Sequence, residues 1–209
     1  MAERTQTGGR GALFVVAGPS GVGKSALTRR LAADDPGLRL SISHTTRPPR
    51  GEERDGVHYV FIEAAEFDRM AAAEEFLEWA TVHGHRYGTA RRSVEEARTG
   101  GVDVVLEIDV QGALQVKDRE PEAQLVLLYP PRLADLETRM RDRGDTTGDA
   151  LARRLRAARE ELAQYARFDY LILNDDLETA VADLAAVVRG RRCRRERRAP
   201  DLIDRTLDE

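Results

Sequence analysis

Residues 12–33 read ALFVVA GPSGVGKS ALTRRLAA. The first six are a short, wholly apolar run with two adjacent valines, which predicts a buried strand. The next eight, Gly18-Pro19-Ser20-Gly21-Val22-Gly23-Lys24-Ser25, fit the phosphate-loop pattern G-x-x-x-x-G-K-[ST]. From Lys24 onward Leu27 and Leu31 recur at a spacing of four, which predicts a helix over 24–33. Strand, glycine loop and helix in that order are the setting this motif requires. The glycines let backbone N–H groups turn in around phosphate oxygens, and the helix N-terminus adds partial positive charge. Lys24 would reach the terminal phosphates, and Ser25 would hold Mg²⁺ through its hydroxyl. The expected ligands are ATP, or another nucleoside triphosphate, with Mg²⁺. The loop leaves the acceptor open, because regulatory GTPases, motor ATPases and small-molecule kinases share it.

Downstream the chain keeps an α/β rhythm. Strands are expected at 76–82, 85–87, 102–108, 124–129 and 170–173, and helices at 63–73, 90–99, 111–117, 133–141 and 147–167. A final helix carries Leu177, Val181, Leu184 and Val188 on one face. The fold class is therefore α/β: a mainly parallel sheet flanked by helices, with inserted pieces rather than a string of domains. The expected division is a unit over 12–190 with core 12–42, 100–130 and 159–190, an acceptor subdomain 43–99 and a helical lid 131–158. Residues 1–11 and 191–209 are read as tails.

Composition excludes several classes. The 209 residues are 41% hydrophobic and 33% charged, which suits an ordinary globular protein. Cys193 is the sole cysteine, so neither an internal disulfide nor a multi-thiolate zinc site can form. No apolar run reaches the roughly 18 residues of a membrane span, and no export or import signal is visible, so a cytoplasmic location is expected. Of the 33 basic residues 31 are arginine, which makes Lys24 at the motif's lysine position hard to ascribe to chance. Seven arginines fall within 189–198, giving that segment +6 and the remainder −10. Without interleaved aromatics this cluster reads as a solvated tail rather than a nucleic-acid site.

Residues 43–50, SHTTRPPR, place Arg47 and Arg50 three apart in a proline-stiffened segment, with Tyr59 following. Two guanidinium forks and a phenol suit a second phosphate group, distinct from the one on the glycine loop. Here the chain resembles the guanylate kinase family. The resemblance rests on GPSGVGKS, on the S-x-S-x-T-T-R-x-P-R pattern ending at Arg50, on Gly56 and Tyr59, on Phe76-Leu77-Glu78-Trp79-Ala80 with Tyr87-Gly88-Thr89, on Ile108-Asp109-Val110-Gln111-Gly112, and on Asp169-Tyr170 with Asn174-Asp175. It spans roughly residues 12–188.

The resemblance implies phosphoryl transfer from ATP to GMP or dGMP. Arg47, Arg50, Tyr59 and Tyr87 would hold the acceptor phosphate, while Ser43, Glu78 and Thr89 read guanine, with Gly88 beside them. A carboxylate suits guanine, whose N1–H and N2–H₂ are adjacent donors that adenine lacks. Asp109, at the end of a buried strand, would lie near magnesium or the acceptor. Arg143 and Arg154 match the family's lid arginines, and the spacing of Arg154 from Leu151 and Ala158 puts it on the apolar side of its helix. Arg139 and Arg141 read as solvent-facing. Asn174 matches a position near the adenine, although a turn and helix cap would explain it too. Two departures stand out: Glu107, where the family usually has Asp, and Gly51-Glu52-Glu53, where it has x-Gly-Glu. A non-catalytic binding module and a kinase with a changed acceptor are the alternatives. A homodimer is expected only from its common occurrence.

Overall fold

The structure, a computed structural model, describes residues 9–82, 84–142, 148–194 and 207. Strands β1 (Leu13–Ala17), β2 (Leu38–Leu40), β7 (Asp103–Glu107), β8 (Gln124–Tyr129) and β9 (Tyr170–Leu173) form one sheet in the order β2-β7-β1-β8-β9, with every neighbouring pair parallel. Helices α1 (Lys24–Asp34), α5 (Leu133–Asp142), α6 (Asp149–Leu162) and α7 (Leu177–Arg192) pack on one face. On the other lie α3 (Arg91–Thr99) and α4 (Val110–Arg119).

The unbroken apolar run of β1 follows from this layering. Phe14 and Val16 enter the core with α1 and α7, whereas Leu13, Val15 and Ala17 enter the core with α3 and α4. A central strand covered on both faces has no polar side, so the usual alternation disappears.

The second sheet is smaller. Strands β3 (His44–Thr45), β4 (Val60–Phe61), β5 (Phe76–Val82) and β6 (His85–Ala90) follow the order β4-β3-β6-β5, with β6 antiparallel to both its neighbours. Its apolar cluster is Phe67, Met70, Phe76 and Ala90, with Phe67 and Met70 supplied by α2 (Ala64–Ala72).

Four expectations need correction. The helix expected over 147–167 ends at Leu162, and Tyr165–Arg167 forms a separate 3₁₀ turn. That break lets Phe168 pack on the central core and Asp169 accept from the Leu125 N–H at 2.8 Å. Helix α3, assigned with 43–99 to the acceptor subdomain, instead buries Val94 and Ala97 against the central sheet. The strand expected over 85–87 runs on to Ala90, carrying Gly88 and Thr89 into the sheet. The tail expected from residue 191 begins later, because α7 runs through Arg191 and Arg192. Arg192 donates to Asp103 Oδ2 and Asp35 Oδ2, both at 2.6 Å.

Candidate active site

In an all-parallel sheet the C-terminal strand ends share one edge, where ligands collect. That edge presents the 18–25 loop after β1, Glu107 as the last residue of β7 and Asn174 after β9. Lys24 Nζ rests within the loop, donating to the Gly18 and Pro19 carbonyls at 2.6 and 3.2 Å. Gly23 caps α1 with φ at +101°, a left-handed conformation that favours glycine. A Cβ there would also lie 2.4 Å from Asn174 Nδ2.

Asn174 is only 6% exposed, and its amide donates to the Val22 carbonyl at 2.6 Å. It thus braces the glycine loop from below. The adjoining N-cap falls to Asp176, which accepts from the Thr179 N–H at 2.8 Å. Arg139, expected to face solvent, reaches the same loop. Its guanidinium donates to Val22 O at 3.4 Å and Asn174 O at 3.3 Å.

Two acids stand at the C-terminal end of β7, Glu107 in its last position and Asp109 two residues on, and the structure separates them. Ser25 Oγ and Thr28 Oγ1 both donate to the carboxylate of Glu107. Asp109 is the N-cap of α4 and accepts from the Gly112 N–H at 2.7 Å. The acid beside the loop hydroxyl is therefore Glu107, and one oxygen of Asp109 is committed to starting a helix. A hydroxyl next to a carboxylate offers the hard oxygen donors that Mg²⁺ takes when phosphates complete its shell, so the residues present fit that ion. No group of three or more metal-ligating side chains occurs among the described residues.

The acceptor candidates gather on the small sheet. Glu78 is 4% exposed and accepts the Thr89 hydroxyl at 2.6 Å. Burial, reinforced by the nearby charge of Asp109 and opposed by that hydroxyl, pushes its carboxyl up to about 7. Thr89 stands opposite Glu78 in the β5–β6 pair. Gly88 packs against the Phe76 ring, so its visible duty is to the apolar cluster.

Arg47 is 5% exposed and donates to Glu53 Oε1 at 2.9 Å, the Pro48 carbonyl at 2.7 Å and the Tyr87 hydroxyl at 3.2 Å. The hydrogen bond from Arg47 holds the Glu53 carboxyl below its usual range. Glu53 Oε2 also accepts the Arg50 N–H at 2.8 Å, so the altered 51–53 segment serves as a lock on the arginine pair. The Arg50 side chain is exposed and Ser43 is half-buried at the start of β3. Tyr59 packs edge-on against Tyr87, 5.9 Å between ring centroids. Its hydroxyl is held neutral to higher pH, first by burial and then by the charge of Glu107. The small sheet and the glycine loop therefore meet at the corner formed by Glu107 and Asp109.

Among the proposed lid residues, Arg143 lies outside the described residues. Arg154 is half-buried on α6 between buried Leu151 and Ala158, while Arg153 and Arg156 of the same helix are exposed or less enclosed. Glu161, on the last turn of α6, was not singled out from the sequence. Burial raises its carboxyl, Lys24 opposes that rise, and Oε2 is enclosed with no hydrogen-bond partner among the described residues. Its place three residues after Ala158 puts it on the apolar side of α6, which is the signal in the sequence that could have marked it.

Comparisons with known proteins identify the family. The family model described as guanylate kinase matches residues 10–191. A guanylate kinase of Xanthomonas oryzae pv. oryzae is 47% identical over 202 residues, 95% of this chain and 100% of that relative. One from Carboxydothermus hydrogenoformans is 48% identical over 188 residues, 90% of this chain and 92% of its own. The crystal structure of guanylate kinase from Anaplasma phagocytophilum superposes with a TM-score of 0.76 at 27% identity, covering 91% of each chain. With a family model spanning nearly all of the described fold, the chain belongs to the guanylate kinase family.

Proposed function

We infer that this chain transfers the γ-phosphoryl group of ATP to GMP, and that the two clusters meeting at Glu107 and Asp109 are its donor and acceptor sites. The carrying observation is their unlike chemistry: a glycine loop with an inward lysine on one side, and on the other a small sheet that buries both a carboxylate, Glu78, and an arginine, Arg47. The loop N–H groups and Lys24 cradle the ATP phosphates. Ser25, with Glu107 behind it, holds Mg²⁺. When bound, that ion neutralises charge on the phosphate oxygens.

On the acceptor side, ionised Glu78 accepts from guanine N1–H and N2–H₂, with Thr89 fixing one carboxylate oxygen and Ser43 adding a contact. Arg47, Arg50, Tyr59 and Tyr87 grip the GMP phosphate, leaving one of its oxygens to attack in line. No covalent enzyme intermediate is needed, because positioning and positive charge carry the catalysis. Arg154, on the apolar side of α6, supplies positive charge to the transferring group. In this reading dGMP, which keeps the same base and phosphate, also serves as acceptor. We place the reaction in the cytoplasm, where both nucleotides are at hand.

A coupled ADP-release assay with ATP and Mg²⁺ tests this reading, comparing GMP, dGMP, AMP, CMP and UMP with Lys24→Ala as the blank. Turnover with GMP and dGMP and little with AMP is expected. Binding of ATP and GMP without phosphorylation of any nucleotide would overturn it.

A further inference from the structure

Strand β5 carries Glu78, and it is an edge strand of the small sheet, so one row of its backbone groups has no neighbouring strand. Helix α4 covers that row with side chains. The Gln115 amide forms a two-bond ring with Trp79: Nε2 donates to Trp79 O at 2.9 Å, and Oε1 accepts the Trp79 N–H at 3.3 Å. Four residues on, Arg119 Nη1 donates to the Leu77 carbonyl at 2.5 Å and the Phe76 carbonyl at 3.2 Å. Residues four apart share a helix face, so both contacts act from one side of α4. They bracket Glu78, since one grips the residue before it and the other the residue after.

Two further observations converge on the same place. The β5–β6 register is irregular between Phe76 and Glu78, so pairing with β6 alone does not fix the backbone there. Gly112, on the same face of α4 one turn before Gln115, lies against the carboxylate: a Cβ at that position would stand 2.7 Å from Glu78 Oε2. Meanwhile Leu77 is buried in the central core with Ala113 and Val116 of α4, while Phe76 belongs to the small cluster. The segment 76–79 is thus where the two lobes join, and on the side away from β6 its position is fixed by hydrogen bonds and packing from α4.

We propose that Gln115 and Arg119 are positioning residues for acceptor specificity, holding the β5 backbone on either side of Glu78 so that its carboxylate meets guanine squarely. The proposal rests on Glu78 reading the base. Neither residue is placed to read the base itself: both act through the strand, and the Arg119 guanidinium also favours the ionised form of the Glu78 carboxyl.

The test uses the full chain with Gln115→Leu, which keeps side-chain size and loses both bonds, and with Arg119→Met, Arg119→Lys and the Gln115→Leu/Arg119→Met pair. GMP is compared with IMP, which keeps N1–H but lacks the 2-amino group. The expected result for the double variant is a KM for GMP raised about tenfold, kcat within about twofold, an unchanged KM for ATP, and a GMP-over-IMP preference reduced about tenfold. Arg119→Lys, which still offers donors to both carbonyls, should restore most of the Arg119→Met loss. Three results would overturn the proposal: GMP and IMP constants within twofold of the parent in the double variant, equal losses for GMP and IMP, or a KM for ATP rising in step with that for GMP. Glu78→Gln, measured alongside, reports on the base-reading itself. If it leaves the GMP-over-IMP preference intact, that reading fails independently of the two helix residues.

Discussion

The glycine loop and the guanine-reading carboxylate are held in place by different forces. Beneath the loop, β1 is buried along its whole length, with apolar side chains passing into separate cores on either face. Asn174 and Arg139 then fasten the loop to the end of β9. The acceptor lobe has a cluster of four apolar residues, and two of its four strands are two residues long. What orders it is polar: Glu53 on Arg47, Thr89 on Glu78, and α4 along the edge of β5. A site set by packing tolerates little change in volume but is indifferent to charge. A site set by hydrogen bonds can shift as a unit and responds to pH and to single polar substitutions.

The contrast can be broken most sharply at Lys24. Lys24→Ala should lower kcat about 10³-fold by the ADP-release assay, because it removes positive charge from the transferring phosphate. The melting temperature should move far less than kcat, since the ammonium's hydrogen bonds to Gly18 and Pro19 stay within its own loop, although its charge also favours the buried Glu161 carboxylate.

Glu78→Gln should change stability as well as activity. Its loss of kcat/KM for GMP is expected to reach about 10²-fold, with discrimination against AMP reduced in parallel. A carboxyl raised from 4.5 to about 7 binds its proton more tightly in the folded state, so stability falls as pH rises between those values and the penalty is complete above about 7. Removing it should stabilise the free protein at pH 8, by an amount on the order of 3 kcal/mol, and much less at pH 5. Thermal melts at the two pH values measure this. The same titration predicts that the KM for GMP rises as pH falls from 8 to 6, because the protonated acid cannot accept both guanine donors.

Phe67→Ala tests the packing side of the comparison. Phe67 is fully buried and stacks on Phe76 at 4.5 Å between centroids, so the change should cost about 3–5 kcal/mol. If the acceptor lobe opens locally, hydrogen exchange will quicken across β3 to β6 while β1, β7 and β8 stay protected, and ATP will still bind. Uniform loss of protection would mean that the two lobes melt together. The smallest effect is expected for Arg47→Lys: a KM for GMP about tenfold higher at similar kcat, since a single ammonium cannot bond Glu53, Tyr87 and a phosphate in one plane.

The features legible in the sequence are those whose cause is local. The run 12–33 gives strand, loop and helix because each is specified by its own neighbours, and the helix boundaries at Lys24 and Leu177 follow the same logic. Arg139 was misread because its partners, Val22 and Asn174, stand 117 and 35 residues away, and an arginine on a helix looks the same whether it meets water or a carbonyl. Glu107 and Asp109 are two residues apart and equally acidic. Only the helix that begins after Asp109 reveals which of them is occupied by a cap. Arg192 likewise passed for tail because the apolar stripe of α7 stops at Val188, while its acids, Asp35 and Asp103, lie 157 and 89 residues back. Periodicity reports burial, and it is silent on long-range polar pairing.

The strand order β2-β7-β1-β8-β9 has a consequence for synthesis. The central strand precedes the other four in sequence, yet both its neighbours lie beyond residue 102. During translation the 12–33 segment must wait, with its apolar side chains uncovered, until residues beyond 129 have emerged. Its loop gains the Asn174 brace only when the last strand is out. The nucleotide site, encoded near the start, is thus among the last parts of the molecule to be completed, and a ribosome stalled before residue 174 carries the whole loop motif without its brace.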